Sequence, residues 1–60
     1  MTIDKLAEIT KSDQYILICK RNNNEIVFDG KIEERGEFGM CEIKCIVALE
    51  NGGNYFQIYI

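Results

Sequence analysis

The chain has 60 residues, 47% of them hydrophobic, and its ten acidic and seven basic side chains give a net charge of −3 with no histidine. A chain of this length forms one domain, residues 1–60, and buries only about 60% of its unfolded surface, so its stability is marginal. The small acidic excess disfavours binding of nucleic-acid backbones through bulk positive charge, and no apolar run reaches the ~20 residues that span a bilayer.

The first predicted element is a short helix over residues 3–10. Thr2 can cap its N-terminus, and Asp4 would lie in the positively charged first turn. Apolar residues recur at helical spacing, namely Ile3, Leu6, Ala7 and Ile9. The segment "SDQ" that follows ends the helix.

A β-hairpin is predicted next. The run "YILIC" is β-branched and aromatic, which favours a strand over residues 14–20. The sequence "RNNN" forms the turn over residues 21–24, because Asn tolerates left-handed backbone better than most residues. A second strand over residues 25–30 completes the hairpin, with the cross-strand pairs Lys20–Glu25, Cys19–Ile26 and Leu17–Phe28.

The segment "GKIEERGEFG" is predicted to be an exposed connection between Gly30 and Gly39. Acidic residues are concentrated in segment 29–37, where Asp29, Glu33, Glu34 and Glu37 could hold a divalent cation. They lack the Asp and Gly periodicity of a calcium loop, so a solvated acidic surface is the preferred interpretation. We expect no metal site and no cofactor.

The last predicted element is a hairpin in which "CEIKCIVALE" and "NYFQIYI" flank Gly52-Gly53. This dipeptide suits the positive φ angles of tight turns, and it sets Asn51 opposite Asn54. The resulting pairs are Glu50–Tyr55, Leu49–Phe56, Ala48–Gln57, Val47–Ile58, Ile46–Tyr59 and Cys45–Ile60.

The predicted fold is α+β, with one N-terminal helix packed on a four-stranded, mainly antiparallel sheet. One face of the last hairpin would hold the helix, while the other is only half polar. Because one short helix covers one side of a sheet, we expect self-association to cover the second, most simply as a homodimer. The last strand could also form an exposed edge of the sheet. The expected interface residues are Ile46, Ala48, Tyr55, Gln57, Tyr59 and Ile60.

Three cysteines, Cys19, Cys41 and Cys45, bear on redox compartment and on metal binding. Their odd number is unusual for a short secreted chain, and "MTIDKLAEIT" lacks a secretory signal, so we expect a cytoplasmic protein that binds no membrane. On a strand, Cys41 and Cys45 would lie about 13 Å apart, too far for a disulfide or a shared metal. All three are predicted to be buried, reduced and free of zinc.

Catalysis is constrained by the residues that the chain lacks. Without histidine, and with Ser12 as its one serine, the sequence excludes triad chemistry and imidazole metal sites. We expect no catalytic residues and no enzymatic activity.

The order of helix, strand, Asn-rich turn, "EIVFDGKIEE", an intervening segment and "ALENGGNYFQIYI" resembles that of short proteins carried by phages and prophages of low-GC Gram-positive bacteria. The resemblance implies an accessory or anti-defence factor, a class that includes some anti-CRISPR proteins, acting in the host-cell cytoplasm. It carries over no functional residues, because the matching positions are structural.

Three classes of function therefore remain open. The first is a non-catalytic protein that binds a host protein as a small oligomer. The second is directed at nucleic acid, either as a single-strand binder that stacks bases on Tyr15, Tyr55 or Tyr59 or as a metal-dependent nickase, and the acidic balance weighs against it. The third is a subunit that folds against one dedicated partner.

Overall fold

The computed structural model describes residues 1–50 and 54–60. In chain order the elements are α1 (Ile3–Ile9), β1 (Tyr15–Cys19), β2 (Ile26–Lys31), two 3-10 helices (Ile32–Glu34 and Gly36–Met40), β3 (Cys45–Leu49) and β4 (Tyr55–Tyr59). The strands form one sheet in the order β2-β1-β4-β3. The predicted α+β fold is confirmed, and the sheet is mostly antiparallel. The predicted turn at Asn51, Gly52 and Gly53 lies outside the described residues.

Helix α1 begins at Ile3, directly after the predicted cap residue Thr2. The backbone of Thr2 is extended, and its hydroxyl accepts a hydrogen bond from the N–H of Lys5 at 3.2 Å. At the other end, the Thr10 hydroxyl donates to the carbonyl of Leu6 at 3.1 Å, and the helix stops at Ile9. The helix buries Ile3 and Leu6.

The first hairpin contains a bulge that the sequence analysis did not anticipate. Asn24 has a φ of 58°, as the Asn-rich turn predicted, and Cys19 pairs with Ile26. The register then shifts, so that Phe28 lies opposite Ile18 and not opposite Leu17. The predicted Leu17–Phe28 pair is therefore wrong. The extra residue turns Phe28 toward the helix side of the sheet, where it packs against the core.

The predicted register of the second hairpin is wrong by one residue. The observed pairs are Leu49–Tyr55, Ala48–Phe56, Val47–Gln57, Ile46–Ile58 and Cys45–Tyr59. Most side chains of β3 are exposed, so burial does little to decide which of them face inward. A slip of one residue reverses the faces of a strand. Ile46 and Ala48 therefore lie on the helix side of the sheet.

Strand β4 is central rather than an edge. It pairs with β3 on one side and, in parallel, with β1 on the other. The parallel pairing sets Phe56 beside Ile16 and Ile58 beside Ile18. Ile16, Ile18 and Ile58 are buried and Phe56 packs against them, so the two strands that supply the core occupy the middle of the sheet. The edges are β2 and β3, so the expectation of a C-terminal edge strand is corrected.

The core lies between α1 and one face of the sheet. Its buried members are Ile3, Leu6, Ile16, Ile18, Ile32 and Ile58. Each contributes roughly 1.5–3 kcal/mol by leaving water. Ile32, in the connection between β2 and β3, is only 1% exposed. The prediction that this connection is exposed is therefore wrong at Ile32.

The two 3-10 helices are tied to α1 by an ion pair. Arg35 donates from Nε to Asp4 Oδ1 at 2.7 Å, and from Nη1 to the carbonyl of Ile32 at 3.0 Å. Gly39 is buried at this point, and a Cβ there would meet the carboxylate of Asp4. A side chain at Gly39 would therefore require the Asp4 side chain to move.

Candidate binding surface

The sheet face that points away from α1 is the largest surface of interest, and we call it the outer face. Strand alternation and the observed registers place on it side chains from all four strands. They are Tyr15, Leu17, Cys19, Ile26, Asp29, Lys31, Cys45, Val47, Leu49, Tyr55, Gln57 and Tyr59. Within residues 1–50 and 54–60, α1 and both 3-10 helices pack on the opposite side. No described element covers the outer face.

The structure brings together three of the six predicted interface residues. Tyr55, Gln57 and Tyr59 lie side by side along the outer face of β4. Ile46 and Ala48 lie on the other side of the sheet, and Ile60 packs against the core cluster.

Val47 and Leu49 belong to the outer face, although their predicted pairing with Ile58 and Phe56 would place them on the helix side. Their placement follows from the register of β3, which the exposed pattern of that strand left unspecified. No signal in the sequence could have identified them.

Tyr15 is held at one side of the outer face. A hydrogen bond with the Asp29 carboxylate, and then the negative charge of that group, raise the pKa of the Tyr15 hydroxyl above its ordinary value. The residue is 47% exposed, so its ring is available for contact while its hydroxyl is engaged.

The centre of the outer face is organised by Gln57. Its side-chain amide donates to the hydroxyl of Tyr59 at 2.9 Å and to Cys19 Sγ at 3.6 Å. These contacts hold the side chain flat over β1 and cover Cys19, which is buried although it points away from α1. The outer face therefore has an ordered polar centre.

Among the strand residues of the outer face, only Asp29 and Lys31 on β2 are charged. At the end of the sheet, Arg21 and Lys44 line a pocket with Cys45 and Tyr59. The members from the other three strands are neutral and largely aromatic or aliphatic. Surfaces of this composition, rich in Tyr and poor in charge, are typical of the centres of protein–protein interfaces.

The three thiols differ in exposure. Cys19 is buried and Cys41 is half-buried, but Cys45 is exposed. The prediction of three buried cysteines is therefore wrong at Cys45, because β3 is an edge strand whose side chains remain in solvent. Among the described residues, no three Cys, Asp or Glu side chains come together in an arrangement that could hold a metal ion.

A basic groove lies at the end of the sheet where β1 and β4 end and β3 begins. It is lined by Lys20, Arg21, Asn22, Cys41, Glu42, Lys44 and Ile60. Lys20 pairs with Glu25 at 3.9 Å, and both side chains are exposed, so the pair is weak. The groove is open to solvent and holds no arrangement of nucleophile and base.

Comparison with protein-family models, with curated proteins and with solved structures found no match to this chain. None of the helices within residues 1–50 and 54–60 is both long and apolar enough to cross a membrane. The functional interpretation therefore depends on the outer face itself.

Proposed function

We propose that the chain is a non-catalytic binding protein that holds another protein against its outer face. The observation that carries this proposal is an ordered, tyrosine-rich sheet face with no described element over it. Each ~100 Å² of apolar area that a partner buries contributes about 2.5 kcal/mol before the costs of association. A domain of this size would gain a substantial part of its stability from such a contact.

The resemblance of "EIVFDGKIEE" and "ALENGGNYFQIYI" to short phage-carried proteins supports a more specific form of the proposal. In that form the protein is an accessory or anti-defence factor of anti-CRISPR type. It works in the cytoplasm of the host cell as a small oligomer, and it inhibits a host protein by covering part of its surface. Such a mechanism needs no catalytic residue.

Phage plating tests this proposal. The protein is produced in a Gram-positive host with an active CRISPR–Cas system, and the plating efficiency of a targeted phage is measured. We expect the wild type to raise plating and Tyr15→Asp, in the outer face, to abolish the effect.

Met40→Asp is the matched control, since Met40 is 79% exposed at the end of the second 3-10 helix, away from the outer face. It should retain the effect. A wild type that never raises plating would refute the anti-defence role, and equal activity of Tyr15→Asp would refute the use of the outer face.

A second candidate function is binding of single-stranded nucleic acid. Tyr15 and Tyr55 are direct neighbours in the parallel pairing, and Tyr59 lies about 13 Å further along β4 on the same face. Such spacing suits the stacking of successive bases. The Asp29 carboxylate beside Tyr15 and the net charge of −3 would repel phosphates, which makes this function the weaker candidate.

Fluorescence anisotropy with a labelled thymidine oligonucleotide at low salt separates the two functions. Binding that weakens with salt and is lost in Tyr55→Ala would favour the nucleic-acid function. The nickase form of this alternative has no comparable support, because no three carboxylates converge among the described residues.

A further inference from the structure

Strand β3 is an unprotected edge. It has a neighbour on one side only among the described strands. Its sequence, "CIVAL", contains no charge and no proline, and from Cys45 to Leu49 its register with β4 is regular. The chain bends just before the strand, where Lys44 donates its backbone N–H to the carbonyl of Tyr59 at 2.7 Å. The opposite edge, β2, has the bulge, a glycine and two charged residues. Natural sheets use such devices to prevent edge pairing, so their absence from β3 indicates a strand that pairs with another.

The hydrogen bonds of β4 identify which backbone groups of β3 are free. Ile60 donates to the carbonyl of Cys19 at 2.9 Å and accepts from Arg21 at 3.1 Å, so its backbone groups point toward β1. Successive residues of a strand point their backbone groups to opposite sides. The N–H and C=O groups of Tyr59, Gln57 and Tyr55 therefore point toward β3. These residues pair with Cys45, Val47 and Leu49, whose backbone groups are therefore used in hydrogen bonds to β4.

The N–H and C=O groups of Ile46 and Ala48 therefore point away from β4. No described strand pairs with them. The two side chains are also exposed, Ile46 to 39%.

We propose that this edge binds the β3 strand of a second copy, antiparallel, with Val47 on the two-fold axis. In this register Ile46 of each copy lies opposite Ala48 of the other, and the two exchange both backbone hydrogen bonds. Val47 meets Val47 of the second copy as a non-hydrogen-bonded pair, in which the side chains are closest.

Side-chain size selects this register. Large Ile46 meets small Ala48, and Cys45 meets Leu49. Moving the axis to Ile46 would set the two large Ile46 side chains against each other, and moving it to Ala48 would set Glu50 against Ile46. The run "CIVAL" is thus complementary to itself in one antiparallel register.

The resulting dimer joins two four-stranded sheets into one continuous sheet of eight strands. The two outer faces then lie on the same side of this sheet and follow its twist. The inference deepens the oligomer part of the proposed function, but it rests on the edge and not on the outer face.

Sedimentation velocity with charged substitutions tests the pairing. We expect a wild-type species of twice the 6.9 kDa of one chain. Val47→Asp and Val47→Lys should each raise the dimer dissociation constant at least about tenfold, because like charges then face each other on the two-fold axis. An equimolar mixture of the two variants should restore the dimer, because opposite charges then meet.

Lys31→Glu, on the opposite edge, is the matched control and should leave the dimer intact. A monomeric wild type at high micromolar concentration would overturn the proposal. So would a dimer that resists both substitutions of Val47, or a mixture of the two variants that remains monomeric.

A second test is independent of charge. Ala48→Pro removes a backbone N–H that points away from β4, a position at which an edge strand tolerates proline. It should give a monomer with an unchanged circular dichroism spectrum. If this variant does not fold, Val47→Cys in a Cys45→Ser background replaces it, and rapid disulfide dimerisation is expected where Ile26→Cys in the same background gives none.

Failure of this inference and failure of the proposed function are distinguishable. Tyr15→Asp should abolish the plating effect while the protein still sediments as a dimer. Val47→Asp should dissociate the dimer whatever its effect on plating.

Discussion

At the scale of single residues, Tyr15 carries a testable electrostatic signature. Its hydrogen bond with Asp29 favours the protonated hydroxyl in the folded state, which raises its pKa above the value of about 10 in an unfolded chain. The stabilisation is fully present below that unfolded value and is lost as the pH rises through the folded pKa, because the folded state then gives up its extra proton.

We therefore predict that Asp29→Asn lowers the pKa of Tyr15 toward its ordinary value. Titration of the tyrosine Cζ signals by NMR measures this directly. Glu25→Gln, which removes an exposed acid elsewhere, should leave the Tyr15 titration unchanged. A Tyr15 titration that is the same in Asp29→Asn and in the wild type would contradict the assignment.

Asn24 gives a second prediction at this scale. Its φ of 58° lies in the left-handed region, which costs most residues roughly 1–2 kcal/mol. Asn24→Val should therefore lower the free energy of unfolding by about that amount, whereas Asn24→Gly should leave it unchanged or raise it. Urea denaturation measures both, with Asn22→Val as the control in the same turn. Equal effects of Val at positions 22 and 24 would contradict the explanation.

At the scale of elements, the contact between α1 and the second 3-10 helix can be tested by a double-mutant cycle. A Cβ at Gly39 would displace the Asp4 carboxylate from Arg35. We predict that Gly39→Ala lowers the free energy of unfolding by about 1–2 kcal/mol. In an Asp4→Ala background the same change should cost much less, because the obstacle has been removed.

Urea denaturation of the four proteins provides the comparison. Gly36→Ala is the control, since a Cβ there meets no atom but would be strained by a φ of 56°. Its cost should be the same with or without Asp4. Additive effects of Gly39→Ala and Asp4→Ala would show that the two residues are not coupled.

The positions of the helix and the strands could be predicted from the sequence better than the pairing of the strands. The helix, the four strands and the inward side chains of β4 follow from local patterns, since Ile58 and Phe56 alternate with polar or amphipathic residues. The bulge beside Phe28 and the register of β3 do not, because they depend on the parallel neighbour of β4 and on a strand with little burial. Ile46 and Ala48, two of the six predicted interface residues, therefore lie on the helix side of the sheet.

At the scale of the whole molecule, edge pairing couples association to stability. A tenfold increase in protein concentration favours a dimer by about 1.4 kcal/mol, or about 0.7 kcal/mol per chain. For a domain of this size, the melting temperature should rise by roughly 3–6 °C. Differential scanning calorimetry at two concentrations measures the shift.

Val47→Asp should melt at a temperature that does not depend on protein concentration, and Lys31→Glu should behave as the wild type. A wild-type melting temperature independent of concentration would contradict the coupling.

The central position of β4 has a consequence for the time course of folding. The α1 helix and the first hairpin can form from neighbouring residues, but β1 obtains its second partner only when Tyr55 meets Tyr15, a residue far away in sequence. Closing that long loop is slow relative to hairpin formation. Until it closes, β3 has no ladder to join, and Ile16 and Ile18 lack the neighbours that bury them. We therefore expect the pairing of β1 with β4 to be the rate-limiting step of folding. The attachment of β3 and the burial of Ile16 and Ile18 should occur together with this step.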